Sequence, residues 1–170
     1  MSNLTFSSSL LTFYFSLILV YCVSAQTAKI ATEEEAQSLL TTHNEWRAEV
    51  GVAPLTWSIA LSESAKIWAT TLEKKCEFRH SQNNYGENLW RGTSGYFSPA
   101  DAVNSWGSEK EDYNYSKNKC KTGKVCGHYT QIVWENTKSV GCATMNCDGM
   151  TTWVCQYDPP GNWVGEKPYE

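Results

Sequence analysis

Cysteine is the feature that most constrains this chain. Six of its seven cysteines, Cys76, Cys120, Cys126, Cys142, Cys147 and Cys155, lie well inside the polypeptide, and the seventh, Cys22, sits in an apolar N-terminal stretch. No C-x-x-C pair occurs among them, so zinc-finger ligation gives way to disulfides, which form in oxidising compartments. An even set of six predicts three bridges, and spacing alone leaves their connectivity open.

The N-terminal stretch supports the same compartment. Residues 1–25 carry no Asp, Glu, Lys or Arg, and the apolar run Leu10 to Val23 ends in Val23-Ser24-Ala25. That is the pattern of a signal peptide with a small-residue cleavage site, and the run falls short of the roughly 20 residues that span a bilayer. Cleavage is expected after Ala25, which leaves 170 minus 25, or 145, residues from Gln26 to Glu170. That length suits a single domain, expected as a monomer. A net charge of -4 leaves no basic patch for nucleic acid or anionic membrane, and no stable membrane insertion is expected. The Lys-rich stretch Lys117 to Lys124 reads as a solvated loop.

Thr32 with Glu35 forms a capping-box signature, and Ala36, Leu39, Leu40, His43, Arg47 and Val50 follow at helical spacing up to Gly51. His43 on that inward stripe reads as a hydrogen-bonded core histidine. Ser58 caps a second helix with inner face Leu61, Ala65, Trp68, Ala69, Leu72 and Cys76. Loops are expected at Ser81 to Gly86 and around Gly92 to Gly95. Ser98-Pro99 opens a third helix running towards Tyr113. Ser139 to Cys147 and Thr151 to Tyr157 read as strands joined by an Asp148-Gly149 turn, closed by Pro159-Pro160-Gly161. Helices first and a hairpin last predict an α+β fold with helices over a small antiparallel sheet. On the third helix Glu109 shares a face with Ala102, Trp106 and Tyr113, so its carboxylate needs a partner, and His80 or His128 are the candidates.

Two longer motifs then carry a resemblance. Gly127-His128-Tyr129-Thr130-Gln131-Ile132-Val133-Trp134 and Trp153-Val154-Cys155-Gln156-Tyr157-Asp158-Pro159-Pro160-Gly161-Asn162 resemble the two signature motifs of the CAP superfamily. That superfamily groups cysteine-rich secretory proteins, antigen 5 and pathogenesis-related 1 proteins. The likeness extends through His43-Asn44-Glu45-Trp46-Arg47, His80-Ser81, Gly86-Glu87-Asn88-Leu89 and Trp106-Gly107-Ser108-Glu109, over essentially all of residues 26–170. With no C-terminal cysteine-rich extension, the chain is most similar to the plant pathogenesis-related 1 branch.

The resemblance implies a three-layer α-β-α sandwich and the pairings Cys76 to Cys147, Cys120 to Cys126 and Cys142 to Cys155. It also implies that His80, Glu87, Glu109 and His128 converge in a cleft, where two imidazoles would bind Zn(II) weakly with the carboxylates as orienters or ligands. No cofactor is required. Sterol or other lipid binding is implied for the segment that holds Trp90, Tyr96 and Phe97, which reads as an aromatic loop lining a groove. These implications describe a secreted, apoplastic defence protein that sequesters sterol from microbes without catalysis. Two alternatives stand beside it. One is release of the C-terminal peptide Pro159 to Tyr169 as a signal, with Gln156 in place of the usual Asn and Glu170 as an extra residue. The other is a metal-dependent hydrolase, with Ser81 beside His80 as its nucleophile. Asn114-Tyr115-Ser116 is an N-glycosylation sequon.

Overall fold

The computed structural model describes residues 27–170, so the expected leader and its cleavage site lie outside them. Chain order is β1 (Lys29–Ile30), α1 (Glu33–Ala48), β2 (Thr56–Trp57), α2 (Ile59–Glu73), β3 (Gly86–Thr93) and α3 (Pro99–Gly107). A 3-10 turn (Ser108–Asp112) follows, then β4 (Tyr113–Asn114), β5 (Lys119–Cys120), α4 (Gly127–Ile132), β6 (Ser139–Cys147) and β7 (Met150–Asp158).

Local chemistry sets the helix starts. Glu35 N–H donates to Thr32 Oγ1 at 3.2 Å, while Thr32 N–H donates to the Glu35 carboxylate at 2.8 Å, so two otherwise unpaired donors are satisfied. Ser98 and Asp101 repeat the capping box at α3, and Ser58 caps α2. At the other end of α2, Glu77 N–H donates to Leu72 O and Cys76 N–H to Glu73 O, with Cys76 at φ 52°. These bonds make a Schellman stop, which places Cys76 just beyond the helix rather than on its inner face.

The main sheet has strand order β1-β6-β7-β3. β6 and β7 pair antiparallel through a two-residue turn in which Asp148 and Gly149 have φ 51° and 72°, as a hairpin matched to strand twist requires. Trp153, Cys155 and Tyr157 point to one face and pack with Leu39 of α1, Val103 and Trp106 of α3, and Tyr129 and Ile132 of α4. Val154, Ala143 and Met145 point to the other and pack with Ala65, Ala69 and Leu72 of α2. This period-2 split makes the α-β-α sandwich. The three disulfides join Cys76 to Cys147, Cys120 to Cys126 and Cys142 to Cys155.

Four further sequence expectations need correction. The segment from Gly86 is not loop: residues 86–93 form β3, the edge strand along β7, because pairing with β7 satisfies a backbone whose glycines disguised it. The third helix stops at Gly107, and Glu109 sits in the tighter 3-10 turn while Tyr113 starts β4. The sheet is not wholly antiparallel, since β2 pairs β6 in parallel. The lysine stretch includes β5, and Lys121 and Lys124 both lie beside the Asp112 carboxylate.

Candidate functional site

β3 is an edge strand of the sheet, and a histidine–glutamate pair sits on each side of it. Glu87 shares the α2 side of β3 with Leu89. His80, from the loop before β3, places Nδ1 2.9 Å from Glu87 Oε1. Ser81 N–H donates to the same oxygen at 2.9 Å, and Gln156 Nε2 donates to Oε2 at 3.1 Å. Burial pushes the Glu87 carboxyl up, but the hydrogen bonds from His80, Ser81 and Gln156 outweigh it and hold its pKa below the ordinary value. The Glu87 hydrogen bond raises the His80 pKa against the opposing effect of burial. Gln156 is fully buried and its Oε1 has no partner among the described residues.

The second pair is assembled by α4. His128 Nδ1 lies 2.6 Å from Glu109 Oε1, and Glu109 Oε2 accepts the backbone N–H groups of His128 and Tyr129 at 3.0 and 3.3 Å. The carboxylate thus satisfies N–H groups that the first turn of a helix leaves unpaired. Trp106 stacks on the His128 ring with centroids 6.2 Å apart and 23° between planes, and its indole N–H donates to Leu89 O at 3.0 Å.

A buried polar chain underlies that second pair. His43 Nδ1 faces Leu39 O at 2.7 Å, and a carbonyl only accepts, so this nitrogen carries the proton. His43 Nε2 then accepts from the Tyr157 hydroxyl at 2.7 Å. Asn88 Nδ2 donates to that hydroxyl at 3.2 Å and to His128 O at 3.1 Å. Burial lowers the His43 pKa from 6.5 to about 4. Arg47, also fully buried, donates to Ala53 O, Ile132 O, Trp134 O and Thr137 O at 2.7 to 3.2 Å. It secures the C-terminal end of α4, and burial lowers its pKa to about 10.

The structure therefore joins His80 to Glu87 and Glu109 to His128. No three of these four side chains bring donor atoms within 4.8 Å of one another among the described residues. In both pairs Nδ1 faces a carboxylate, which leaves each Nε2 available as a ligand atom. Sequence reasoning missed Arg47, Asn88, Gln156 and Tyr157 as the supports of the site. The inward stripe containing His43 and Arg47 was the one signal that pointed towards them.

The aromatic segment divides. Trp90 is half-buried within β3, its ring over Gly92, where a Cβ would collide with Trp90 and Phe97. Phe97 meets Trp90 edge-on at 5.2 Å and is 52% exposed, while Tyr96 is 82% exposed. A cavity of about 510 Å³ opens here, lined by Trp90, Gly92, Phe97, Asp101, Ser105 and Met150 among others. Asn114 is exposed on β4, and its Oδ1 accepts from Ser116 Oγ at 2.8 Å and Lys117 N–H at 3.0 Å.

Known proteins share both sequence and shape with this chain. It is 42% identical over 155 residues to pathogenesis-related protein 1A of Nicotiana tabacum, with 91% of each chain covered. To pathogenesis-related protein 1 of Arabidopsis thaliana it is 41% identical over 154 residues, covering 90% of this chain and 94% of the relative. The crystal structure of NaASP2 with Zn2+ superposes with a TM-score of 0.67 at 28% identity, covering 82% of this chain and 87% of that one. MpPR-1i, at 22% identity and TM-score 0.56 over 79% of this chain and 93% of its own, shares the fold. The sequence profile of the cysteine-rich secretory protein family, CAP, matches residues 40–157. With that match and these plant relatives, the chain belongs to the CAP family, as a protein similar to pathogenesis-related protein 1.

Proposed function

We propose that this protein is a secreted plant defence protein that acts by binding a sterol-class lipid at the Trp90–Phe97 cavity, without catalysis. The observation that carries this reading is the cavity of about 510 Å³ walled by Trp90 and Phe97. Its volume lies within the range of small-molecule sites, and its aromatic wall with Asp101 and Ser105 at hand suits an apolar body bearing a hydroxyl. The exposed Tyr96 and Phe97 offer apolar surface that ligand binding would cover. Three disulfides suit an oxidising extracellular compartment. Titration with labelled cholesterol tests the reading: wild type should bind saturably, and Phe97→Ala should bind at least tenfold more weakly. An equal affinity for both would remove this cavity from the function.

A second reading, compatible with the first, is zinc binding by His80 and His128. Its support is the shared Nδ1-to-carboxylate geometry that leaves both Nε2 atoms available, with Glu87 and Glu109 as orienters. NaASP2 is described with Zn2+. Calorimetry should show a zinc response that His80→Ala with His128→Ala abolishes, and an unchanged response would reject it. No hydrogen bond joins the Ser81 hydroxyl to His80 among the described residues, whereas the Ser81 N–H is spent on Glu87, which disfavours a serine nucleophile at Ser81.

A further inference from the structure

From Gln26 onward, Asn114-Tyr115-Ser116 is the one Asn-x-Ser/Thr tripeptide of the chain, and the fold presents it as an open acceptor. It lies at the tip of the β4–β5 hairpin, where Asn114 pairs with Lys119 and Asn118 N–H donates to Tyr115 O at 3.2 Å to close the turn. The middle residue is held inward. Tyr115 stacks on Tyr169 of the C-terminal tail with centroids 4.8 Å apart, donates to the Tyr169 carbonyl at 3.1 Å, and has Lys167 Nζ 4.2 Å from its ring centroid. The tail is itself fixed along α4, where Asn162 accepts from Thr130 Oγ1 at 2.6 Å and donates to Gly127 O at 2.8 Å. With Tyr115 turned to the protein, Asn114 and Ser116 on either side of it are both exposed.

The Asn114 amide divides its two ends between two roles. Oδ1 accepts from Ser116 Oγ at 2.8 Å and from Lys117 N–H at 3.0 Å, an Asx turn that fixes the hairpin tip. Nδ2 donates to nothing among the described residues, whereas the Nδ2 groups of Asn44, Asn88, Asn118 and Asn162 all donate to backbone carbonyls. We propose that Asn114 Nδ2 is an N-glycosylation site, which carries a bulky hydrophilic oligosaccharide on the outer side of the hairpin. The donor class is an oligosaccharide on a polyisoprenyl diphosphate. The bond from Nδ2 to sugar C1 forms, the bond from C1 to the diphosphate oxygen breaks, one amide proton is lost, and the lipid diphosphate leaves. Nδ2 keeps its other proton and Oδ1 keeps both hydrogen bonds, so the turn survives the transfer. The sugar displaces no buried side chain, and Asn114 belongs to neither histidine–glutamate pair nor the Trp90–Phe97 cavity.

The site rests on entry into the secretory pathway, which is part of the function proposed above. The test expresses residues 1–170 in a eukaryotic secreting cell, beside the same chain with a proven secretory leader in place of residues 1–25. Intact mass is read before and after treatment with a peptide N-glycosidase. Wild type and Ser116→Thr should lose the mass of an oligosaccharide, with Asn114 converted to Asp in a peptide map. Asn114→Asp, which keeps the acceptor oxygen of the turn, and Ser116→Ala should show no such loss. Glycan found only with the substituted leader would support the site and overturn secretion by the native one. Unmodified Asn114 in both arms, or an equal mass loss in Asn114→Asp, would overturn the proposal.

Discussion

The two histidine–glutamate pairs use the same chemistry in differently built surroundings. His80 and Glu87 stand 7 residues apart, and Glu87 is held in register by its β7 neighbour Gln156. Glu109 and His128 stand 19 residues apart, on a 3-10 turn and a six-residue helix that belong to no sheet. The first pair leans on a strand. The second leans on Arg47, the Cys120–Cys126 bridge, the buried His43–Tyr157–Asn88 chain and the C-terminal tail. Exposure follows the construction: the His80 side chain is 58% exposed over an almost buried Glu87, whereas His128 and Glu109 are 27% and 18% exposed. A site assembled from separate supports should fail by separate routes.

The largest expected break in that symmetry is Arg47→Met. Four carbonyls would lose their donor, and buried acceptors without partners are costly, so stability should fall by about 3–5 kcal/mol in urea unfolding. His128 resonances should broaden while those of His80 persist in the folded fraction. A loss below about 1 kcal/mol would show that α4 holds itself.

Acid should separate the pairs next. The His43 pKa is depressed from 6.5 to about 4, so the folded state binds fewer protons. Its contribution is complete above pH 6.5 and is lost as pH falls towards 4, a change of about 3 kcal/mol. The His80 pKa is raised and that of Glu87 lowered. Their pair is therefore strongest between those two values, and its histidine contribution fades only as pH rises through the His80 pKa. Urea midpoints from pH 4 to 7 for wild type and His43→Gln would test the point. Parallel pH profiles would assign acid sensitivity elsewhere.

Cys120→Ser with Cys126→Ser opens a loop of sequence separation 6, for which chain entropy predicts a loss of about 2 kcal/mol. Calorimetric unfolding would show it, and the Glu109–His128 pair should loosen first. The smallest effect is Lys110→Ala, which removes an exposed ion pair to Glu49 beside Glu109. It should change stability by less than about 0.5 kcal/mol, and a larger change would mean that the 3-10 turn depends on that lysine.

Much of this was legible along the chain because it is local. Thr32 with Glu35, Ser98 with Pro99, and Asp148-Gly149 each act within four residues, and each structure formed where it was read. β3 escaped because its pattern is interrupted by Gly86 and Gly92, and strandness there comes from β7 rather than from local preference. Trp90 was misread as loop for the same reason. Glu109 announced its need for a partner by sitting on an apolar stripe, but the choice between His80 and His128 depended on where α4 docks.

The cysteines return the same division. Their even number and the absence of C-x-x-C pairs determined, from sequence alone, that this chain would be stapled by disulfides, because thiol pairing follows count and compartment. The pairing implied by family resemblance is realised only because β6 and β7 place Cys142 opposite Cys155, and the stop of α2 points Cys76 at Cys147. Tertiary packing alone decided that the two pairs flank one strand, that Arg47 and Asn88 serve the second, and that the tail lies along α4. Those contacts join residues 19 to 90 positions apart, beyond the reach of any local periodicity.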